Sequence, residues 1–161
     1  MIAAALLLAL TLSGADDLTA TTVEGLQLKV PAAWKRTDGE KGNVRFDAPN
    51  PGASFELSVF PVAPRREGAL CVDQLLKALK GPKWTRDTVG GAPAAWNSVD
   101  EAAPAVGEGG EKAAPVQVRT NSYVGCNGAT KWVLTVTLSS KGQARYEALA
   151  RKIVASIAYP K

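Results

Sequence analysis

Alternating apolar and polar residues predict strands along most of the chain. Residues 26–30, "LQLKV", and residues 53–62, "ASFELSVFPV", alternate with the two-residue period of a half-buried strand. The same period is strongest at 116–124 and 131–140, where apolar residues share one face of each run. Asn127-Gly128 lies between these two runs and is a typical hairpin dipeptide, so the runs are predicted to pair as an antiparallel hairpin.

Three weaker runs complete the predicted strands. Residues 44–48, "VRFDA", are predicted to form a hairpin with residues 26–30 around the turn-forming Asp38-Gly39. Residues 83–89, "KWTRDTV", predict one more strand, and residues 93–99, "PAAWNSV", predict a weaker one.

Two segments change to the helical period. Residues 70–80 place Val72, Leu75, Leu76 and Leu79 on one stripe, and Gly81-Pro82 ends this helix. Residues 142–156 form a longer helix, with an apolar stripe made of Tyr146, Leu149, Ala150, Ile153, Val154 and Ile157. Both helices need an apolar sheet face to cover. The sequence therefore predicts an α+β domain, with an antiparallel sheet of about six to seven strands packed by two main helices.

The first residues differ from the rest of the chain. Residues 2–12 are almost purely apolar and carry no charge, but a helix needs about 20 residues to span a bilayer. With the small residues 13–15 after it, the run is typical of a signal peptide, although Lys and Arg are missing near Met1. We predict a signal peptide at 1–15, a flexible lead-in at 16–25 and a single domain at 26–161. An N-terminal helix or a retained anchor stays open as the alternative.

Composition narrows the classes of partner. The 161 residues carry a formal charge of +4, and their basic residues occur in small groups without interleaved aromatic residues. This pattern predicts no nucleic-acid binding. Residues 101–115, "EAAPAVGEGGEKAAP", would bury little apolar surface and are predicted to form a mobile loop.

The chain has two cysteines and no histidine. Cys71 lies in the first turn of the first predicted helix, and Cys126 lies beside the Asn127-Gly128 turn. In an oxidising compartment two such cysteines pair, so we predict a disulfide between them. A catalytic or zinc-binding thiol is the alternative, but it would lack histidine, the usual base and the commonest zinc partner. No catalytic residue, metal site or cofactor is predicted.

The tryptophans are the remaining candidates for a binding surface. Trp132 belongs to the apolar face of a predicted central strand and is expected in the core. Trp34 follows a strand end and Trp96 precedes the 101–115 segment, so either could line a surface groove. Core packing is the favoured interpretation for each, and a binding role stays open.

The order of these segments resembles the PsbP-like family, which includes the extrinsic subunit of the oxygen-evolving photosystem and a nuclear factor acting on the Ran GTPase. The resemblance rests on "LQLKVPAAWKR", "VRFDAPNPGASFELSVFPV", "VRTNSYVGCNGATKWVLTVTLSS" and "RYEALARKIVASI", which together span most of residues 26–157. It implies an αβα-type sandwich that docks onto other proteins rather than catalysing a reaction. The family's binding residues have no matching motifs in this chain.

These observations lead to two expectations about function. The first is an exported, non-enzymatic binding domain that docks onto a protein or cell-envelope partner through loops and one sheet edge. The second is a carrier or sensor of a small apolar ligand, held between the sheet and the 101–115 loop. An apolar cavity near Trp96 or Trp34 would favour the second.

Overall fold

The computed structural model describes residues 17–50, 52–81, 83–106, 112–140 and 142–161. The predicted signal peptide at 1–15 lies outside these residues. The strands are β1 (Leu18–Val23), β2 (Leu26–Pro31), β3 (Lys35–Asp38), β4 (Asn43–Asp47), β5 (Ala53–Pro61), β6 (Thr85–Val89), β7 (Ala92–Val106), β8 (Lys112–Cys126) and β9 (Thr130–Ser139). The helices are α1 (Gly68–Leu79) and α2 (Gln143–Ala155).

Seven strands form one antiparallel sheet in the order β3-β4-β5-β9-β8-β7-β6, and β1 pairs with β2 in a separate two-stranded sheet. The predicted hairpin between β8 and β9 is confirmed. At its turn the side-chain oxygen of Asn127 accepts hydrogen bonds from the backbone N–H groups of Ala129, at 3.0 Å, and Thr130, at 2.8 Å. The predicted α+β class is therefore confirmed, with two helices and a sheet of the expected size.

The main core lies on one face of the large sheet, beneath α2 and the β1–β2 hairpin. Alternate residues of β5 and β9 point into it, and the inward residues from Phe55 to Val59 and from Trp132 to Leu138 are each at most 2% exposed. The apolar stripe predicted for the second helix is buried against them. The fully or nearly fully buried side chains here include Leu26, Leu28, Phe46, Phe55, Leu57, Val59, Trp132, Leu134, Val136, Leu138 and Ile153.

A smaller cluster lies on the opposite face, where α1 covers β7 and β8. Its buried members are Cys71, Val72, Ala95, Val124 and Cys126. The rest of this face carries polar side chains, such as Arg45 of β4 and Glu56 of β5, which are exposed and ion-paired at 2.7 Å. The result is an αβα sandwich whose two helical layers differ greatly in the apolar area that they cover.

The structure replaces the predicted flexible lead-in with a strand. Residues 18–23 pair along their whole length with β2, through a turn at Glu24 and Gly25 with φ of 46° and 84°. The β-branched Thr and Val residues of this segment favour a strand. The partner of β4 is β3 and not residues 26–30 as predicted, although the turn lies at Asp38-Gly39 as expected.

The prediction of a loop at 101–115 is also wrong for the residues that the structure describes. Residues 101–106 extend β7 and residues 112–115 extend β8, and the two arms pair with each other. Strand pairing satisfies backbone groups without burying side chains, which explains why a segment poor in large apolar residues is ordered. The N-terminal part of β8 is also less covered than its alternating pattern predicts. Val116 is 39% exposed there, because α1 does not cover it.

Burial of the Tyr159 phenol predicts a loss of stability at high pH. The indole N–H of Trp132 donates to the Tyr159 hydroxyl at 2.9 Å, and burial raises the pKa of Tyr159 to about 12, although the Trp132 bond lowers it. The unfolded phenol titrates near pKa 10.0. The stabilisation is therefore complete below pH 10 and is lost as pH rises from about 10 to about 12.

We expect Tyr159→Phe to weaken this alkaline loss, as measured by urea unfolding at pH 8 and at intervals from pH 10 to 12. The variant will be less stable at pH 8, because the Trp132 N–H loses its acceptor. The diagnostic quantity is the slope of the unfolding free energy against pH above pH 10. A slope equal to that of the wild type would contradict the assignment.

Candidate functional site

A cavity of about 360 Å³ lies between α2 and the sheet. Its lining side chains come from β6, β7, β8 and α2: Asp87, Thr88, Val89, Trp96, Asn121, Tyr123, Glu147, Arg151, Val154 and Ala155. Since β6 is the last strand of the sheet, the cavity lies at a sheet edge. Its volume is within the range of small-molecule sites, about 300–1,000 Å³.

Strand register brings the aromatic residues of the cavity together. Trp96 of β7 lies directly opposite Tyr123 of β8, so both side chains point to the face that α2 covers. Val89 and Val154 are buried beside them and belong to the main core. The cavity therefore has an aromatic wall and an apolar floor, which suit a flat, largely apolar group.

Asn121 is the unusual residue of this cavity. It is 2% exposed, and its side-chain oxygen has no hydrogen-bond partner among the described residues. Its strand neighbours Ser98 and Val136 lie opposite it on β7 and β9. A buried polar atom without a partner costs about 1–3 kcal/mol, so such atoms in native structures call for an explanation.

The charged side chains on the α2 side are mutually compensated. The Glu147 carboxylate contacts Arg119 at 3.4 Å and Arg151 at 3.5 Å. Asp100 in turn accepts two hydrogen bonds from Arg119, at 2.7 and 2.9 Å, and this bonding lowers the pKa of Asp100 and raises the pKa of Arg119. The cluster joins β7, β8 and α2 and holds α2 over the cavity.

Tyr123 and Asp87 also contribute polar groups to the wall. Burial raises the pKa of the Tyr123 phenol, Arg151 lowers it by a smaller amount, and Glu147 raises it further. The hydroxyl therefore stays protonated at neutral pH. Asp87 is exposed on β6 and accepts a hydrogen bond at 2.7 Å from the adjacent Thr88 N–H. No ion pair of Asp87 is found among the described residues, so a negative charge remains at the rim.

The predicted site residues have different outcomes. The Cys71–Cys126 disulfide is confirmed, with a Cα–Cα distance of 6.1 Å. Trp34 is 8% exposed and packs in the main core, with its ring centroid 5.2 Å from that of Phe55, which agrees with the favoured interpretation of core packing and not with a surface groove. Trp96 lines the cavity and is half-buried, and its role in binding stays a prediction. The structure therefore does not bring the two tryptophans into one site.

Sequence reasoning missed Asn121, Tyr123 and Arg151. The alternate positions of β8, from Val116 to Val124, are more apolar, and they drew attention to the wrong face. A polar amide inside a strongly alternating strand was the available signal, since asparagine is depleted in strands.

No group of three or more acidic or cysteine side chains is placed to hold a metal ion within the described ranges. Neither helix in the described part of the chain is long and apolar enough to cross a bilayer.

Comparisons with known proteins bear on the fold. No protein-family model matches the sequence, and no curated protein matches it. Among solved structures, the chain is similar to a protein from Bacteroides thetaiotaomicron, with a TM-score of 0.64 and 17% identity over 85% of this chain. The match spans 46% of that protein, so the chain corresponds to about half of its length.

Two other similar structures are matched nearly end to end. Cyanobacterial PsbP (CyanoP) from Synechocystis sp. PCC 6803 has a TM-score of 0.57 and 10% identity, over 91% of this chain and 95% of CyanoP. LpqN, involved in cell envelope biogenesis of Mycobacterium tuberculosis, has a TM-score of 0.51 and 14% identity, over 90% of this chain and 91% of LpqN. At these identities the similarity concerns the fold. Mog1 is another similar solved structure. The chain therefore has the αβα-sandwich fold of PsbP and Mog1, as its sequence resemblance to the PsbP-like family implies.

Proposed function

We propose that this chain is an exported, non-enzymatic binding domain that docks onto a protein or cell-envelope partner at the β6 edge and the adjoining cavity. The observation that carries the proposal is the open outer edge of β6, which within the described residues pairs with β7 alone and adjoins a cavity lined by Trp96 and Tyr123.

The β6 edge offers the means of docking. Within the described residues β6 pairs with β7 alone, so its outer backbone groups are open to another strand. Thr85 to Thr88 are exposed, and Asp87 and Thr88 also line the cavity. An extended partner segment added to this edge would have its side chains next to the cavity mouth.

Export is supported by the disulfide, because such bonds persist in oxidising compartments. LpqN, which shares the fold, is involved in cell envelope biogenesis, and this is consistent with an envelope partner. A non-enzymatic role is supported by the absence of histidine from the sequence and by the pairing of both cysteines, which removes the commonest general base and the most reactive nucleophile.

A second function is favoured by the cavity itself: carriage or sensing of a small ligand. The volume of about 360 Å³ is enough for a small molecule without any partner strand. The cavity lies against α2, so the ligand would not be held by residues 101–115 as the sequence analysis expects.

Site-specific photo-crosslinking tests the docking proposal. A benzophenone amino acid at position 88, on the β6 edge, is compared with one at position 37, on the opposite edge strand β3, in cells of the native host. We expect a defined adduct from position 88 that Trp96→Ala weakens, and no such adduct from position 37. Identical adducts from both positions, or no adduct from either, would refute docking at β6.

A further inference from the structure

We infer that the outer side of α1 lies against an anionic lipid surface. Two observations carry the inference: positive charge without ion-pair partners is concentrated around α1, and large apolar side chains are exposed on the same side of the sheet. This contact goes beyond the docking proposed at the β6 edge and does not depend on it.

Positive charge is concentrated in and around α1. Residues 65–86 contain six basic and two acidic side chains, so this segment alone has the formal charge of +4 that the whole chain carries. One of its two carboxylates, that of Asp73, is ion-paired with Arg86. The other five basic side chains are exposed and have no ion pair among the described residues: Arg65, Arg66, Lys77, Lys80 and Lys83.

These five basic side chains are spread along α1 rather than gathered at one point. Two of them precede the helix, one lies in its last turn and two follow its end. A helix of 12 residues is about 18 Å long, so the five charges do not converge on one small anion. Their arrangement fits a surface that carries many anionic groups.

Exposed apolar side chains lie on the same side of the sheet. Leu70 of α1 is 56% exposed and Leu79 is 42% exposed. Phe60 follows the core residue Val59 on β5, so strand alternation directs it to the α1 side, where it is 37% exposed. A bilayer accepts such side chains among its headgroups while neighbouring Lys and Arg side chains reach the anionic groups.

A groove of about 320 Å³ beside α1 has the same sign of charge. It is lined by Arg66 and Lys131, and none of its described lining residues is acidic. Both cations contact neutral groups: Arg66 donates to the Gln74 oxygen at 2.6 Å, and the Lys131 Nζ atom lies 5.9 Å from the centroid of the Phe60 ring. The groove therefore adds two cations for lipid phosphate groups next to the exposed Phe60 ring.

Vesicle sedimentation tests the lipid surface. The full chain is mixed with vesicles of phosphatidylcholine, with or without about 30% phosphatidylglycerol, and we expect at least about tenfold tighter binding to the anionic vesicles at low salt. High salt should remove most of this difference. Residues 2–12 carry no charge, so any contact that they make is common to both vesicles. Equal affinity for the two vesicles, or no binding to either, would overturn the inference.

Matched charge variants locate the contact. Replacing Lys77 and Lys80 by Gln should weaken binding to the anionic vesicles about 25-fold, because each cation at such a surface contributes about fivefold. Replacing Lys29 of β2 and Lys152 of α2 by Gln is the control. It removes the same charge from exposed positions on the opposite side of the sheet, and we expect less than about a twofold change. Equal weakening in both double variants would show that net charge alone acts.

An acidic polypeptide is the competing occupant of this side. Leu70→Gln should weaken vesicle binding about fivefold, because an exposed apolar side chain no longer enters the bilayer, and it should leave binding to poly-L-glutamate unchanged. Binding of poly-L-glutamate as tight as that of the anionic vesicles, together with no effect of Leu70→Gln, would identify an acidic protein instead and overturn the inference. The adduct at position 88 is a separate measurement, so the docking proposal at β6 stands or fails independently.

Discussion

Replacing both cysteines by alanine is expected to lower the free energy of unfolding by about 4 kcal/mol, from the loop-closure entropy of a bridge across about 56 residues. Cys71 and Cys126 are separated by 55 positions, and their bond connects α1 to the end of β8. Without the bond the unfolded chain gains this conformational freedom while the folded chain gains little. The loss is a large part of a typical folding stability.

The structure also indicates where the effect should concentrate. Only Cys71 and Val72 of α1 are buried, whereas α2 buries five residues, Tyr146, Leu149, Ala150, Ile153 and Val154. Leu70 and Leu79 of α1 are 56% and 42% exposed, and Leu75 and Leu76 are only partly buried against the smaller cluster. The disulfide therefore adds a covalent attachment to a layer whose apolar packing is mostly partial.

Urea unfolding of the oxidised protein and the double alanine variant measures the total effect. Hydrogen exchange by NMR then separates the two helices: α1 amides should lose protection in the variant well before α2 amides do. The α2 amides serve as the internal control. A difference in unfolding free energy below about 1 kcal/mol, or equal loss of protection in both helices, would contradict this account.

The parts of the fold that the sequence predicts are those in which burial of one face produces a regular pattern of apolar side chains. In β9 every second residue from Trp132 to Leu138 is buried, and in α2 the whole predicted stripe is buried. The same is true of the disulfide, since each cysteine lies at the end of a predictable element. Burial on one face leaves a period in the sequence, and that period can be recognised without knowing the partner.

The parts of the fold that the sequence does not predict depend on pairing or packing with another segment of the same chain. β1 and the outer arms of β7 and β8 are held by backbone pairing, which leaves no apolar pattern in residues 101–106. The cavity has the same origin: Trp96, Tyr123 and Arg151 come from three separate elements, and they meet because of the β7–β8 register and the position of α2. The Asn121 amide within an alternating strand was a signal in the sequence, but its burial is known only from the structure.

Gly125→Ala should be the second most damaging of these changes, with an expected loss of about 3 kcal/mol in unfolding free energy. Gly125 lies opposite Trp132 in the β8–β9 ladder. A methyl group at Gly125 would lie 2.5 Å from the Cζ2 atom and 2.6 Å from the Cε2 atom of the Trp132 ring. That ring is completely buried and donates to the Tyr159 hydroxyl at 2.9 Å, so it cannot move aside without breaking this bond.

A double-mutant cycle tests the stated cause. Trp132→Phe removes the part of the ring that the added methyl group would strike, so Gly125→Ala should cost much less in that background than in the wild type. Gly39→Ala is the matched control, because its methyl group would lie 3.6 Å from the nearest atoms, in ordinary contact, and we expect a change within about 0.5 kcal/mol. Equal costs of Gly125→Ala in the two backgrounds would show that steric overlap with Trp132 is not the cause. Because Gly125 lies two positions beyond Tyr123 on β8, a confirmed overlap would place this close contact with Trp132 on the strand that carries Asn121 and Tyr123 to the cavity.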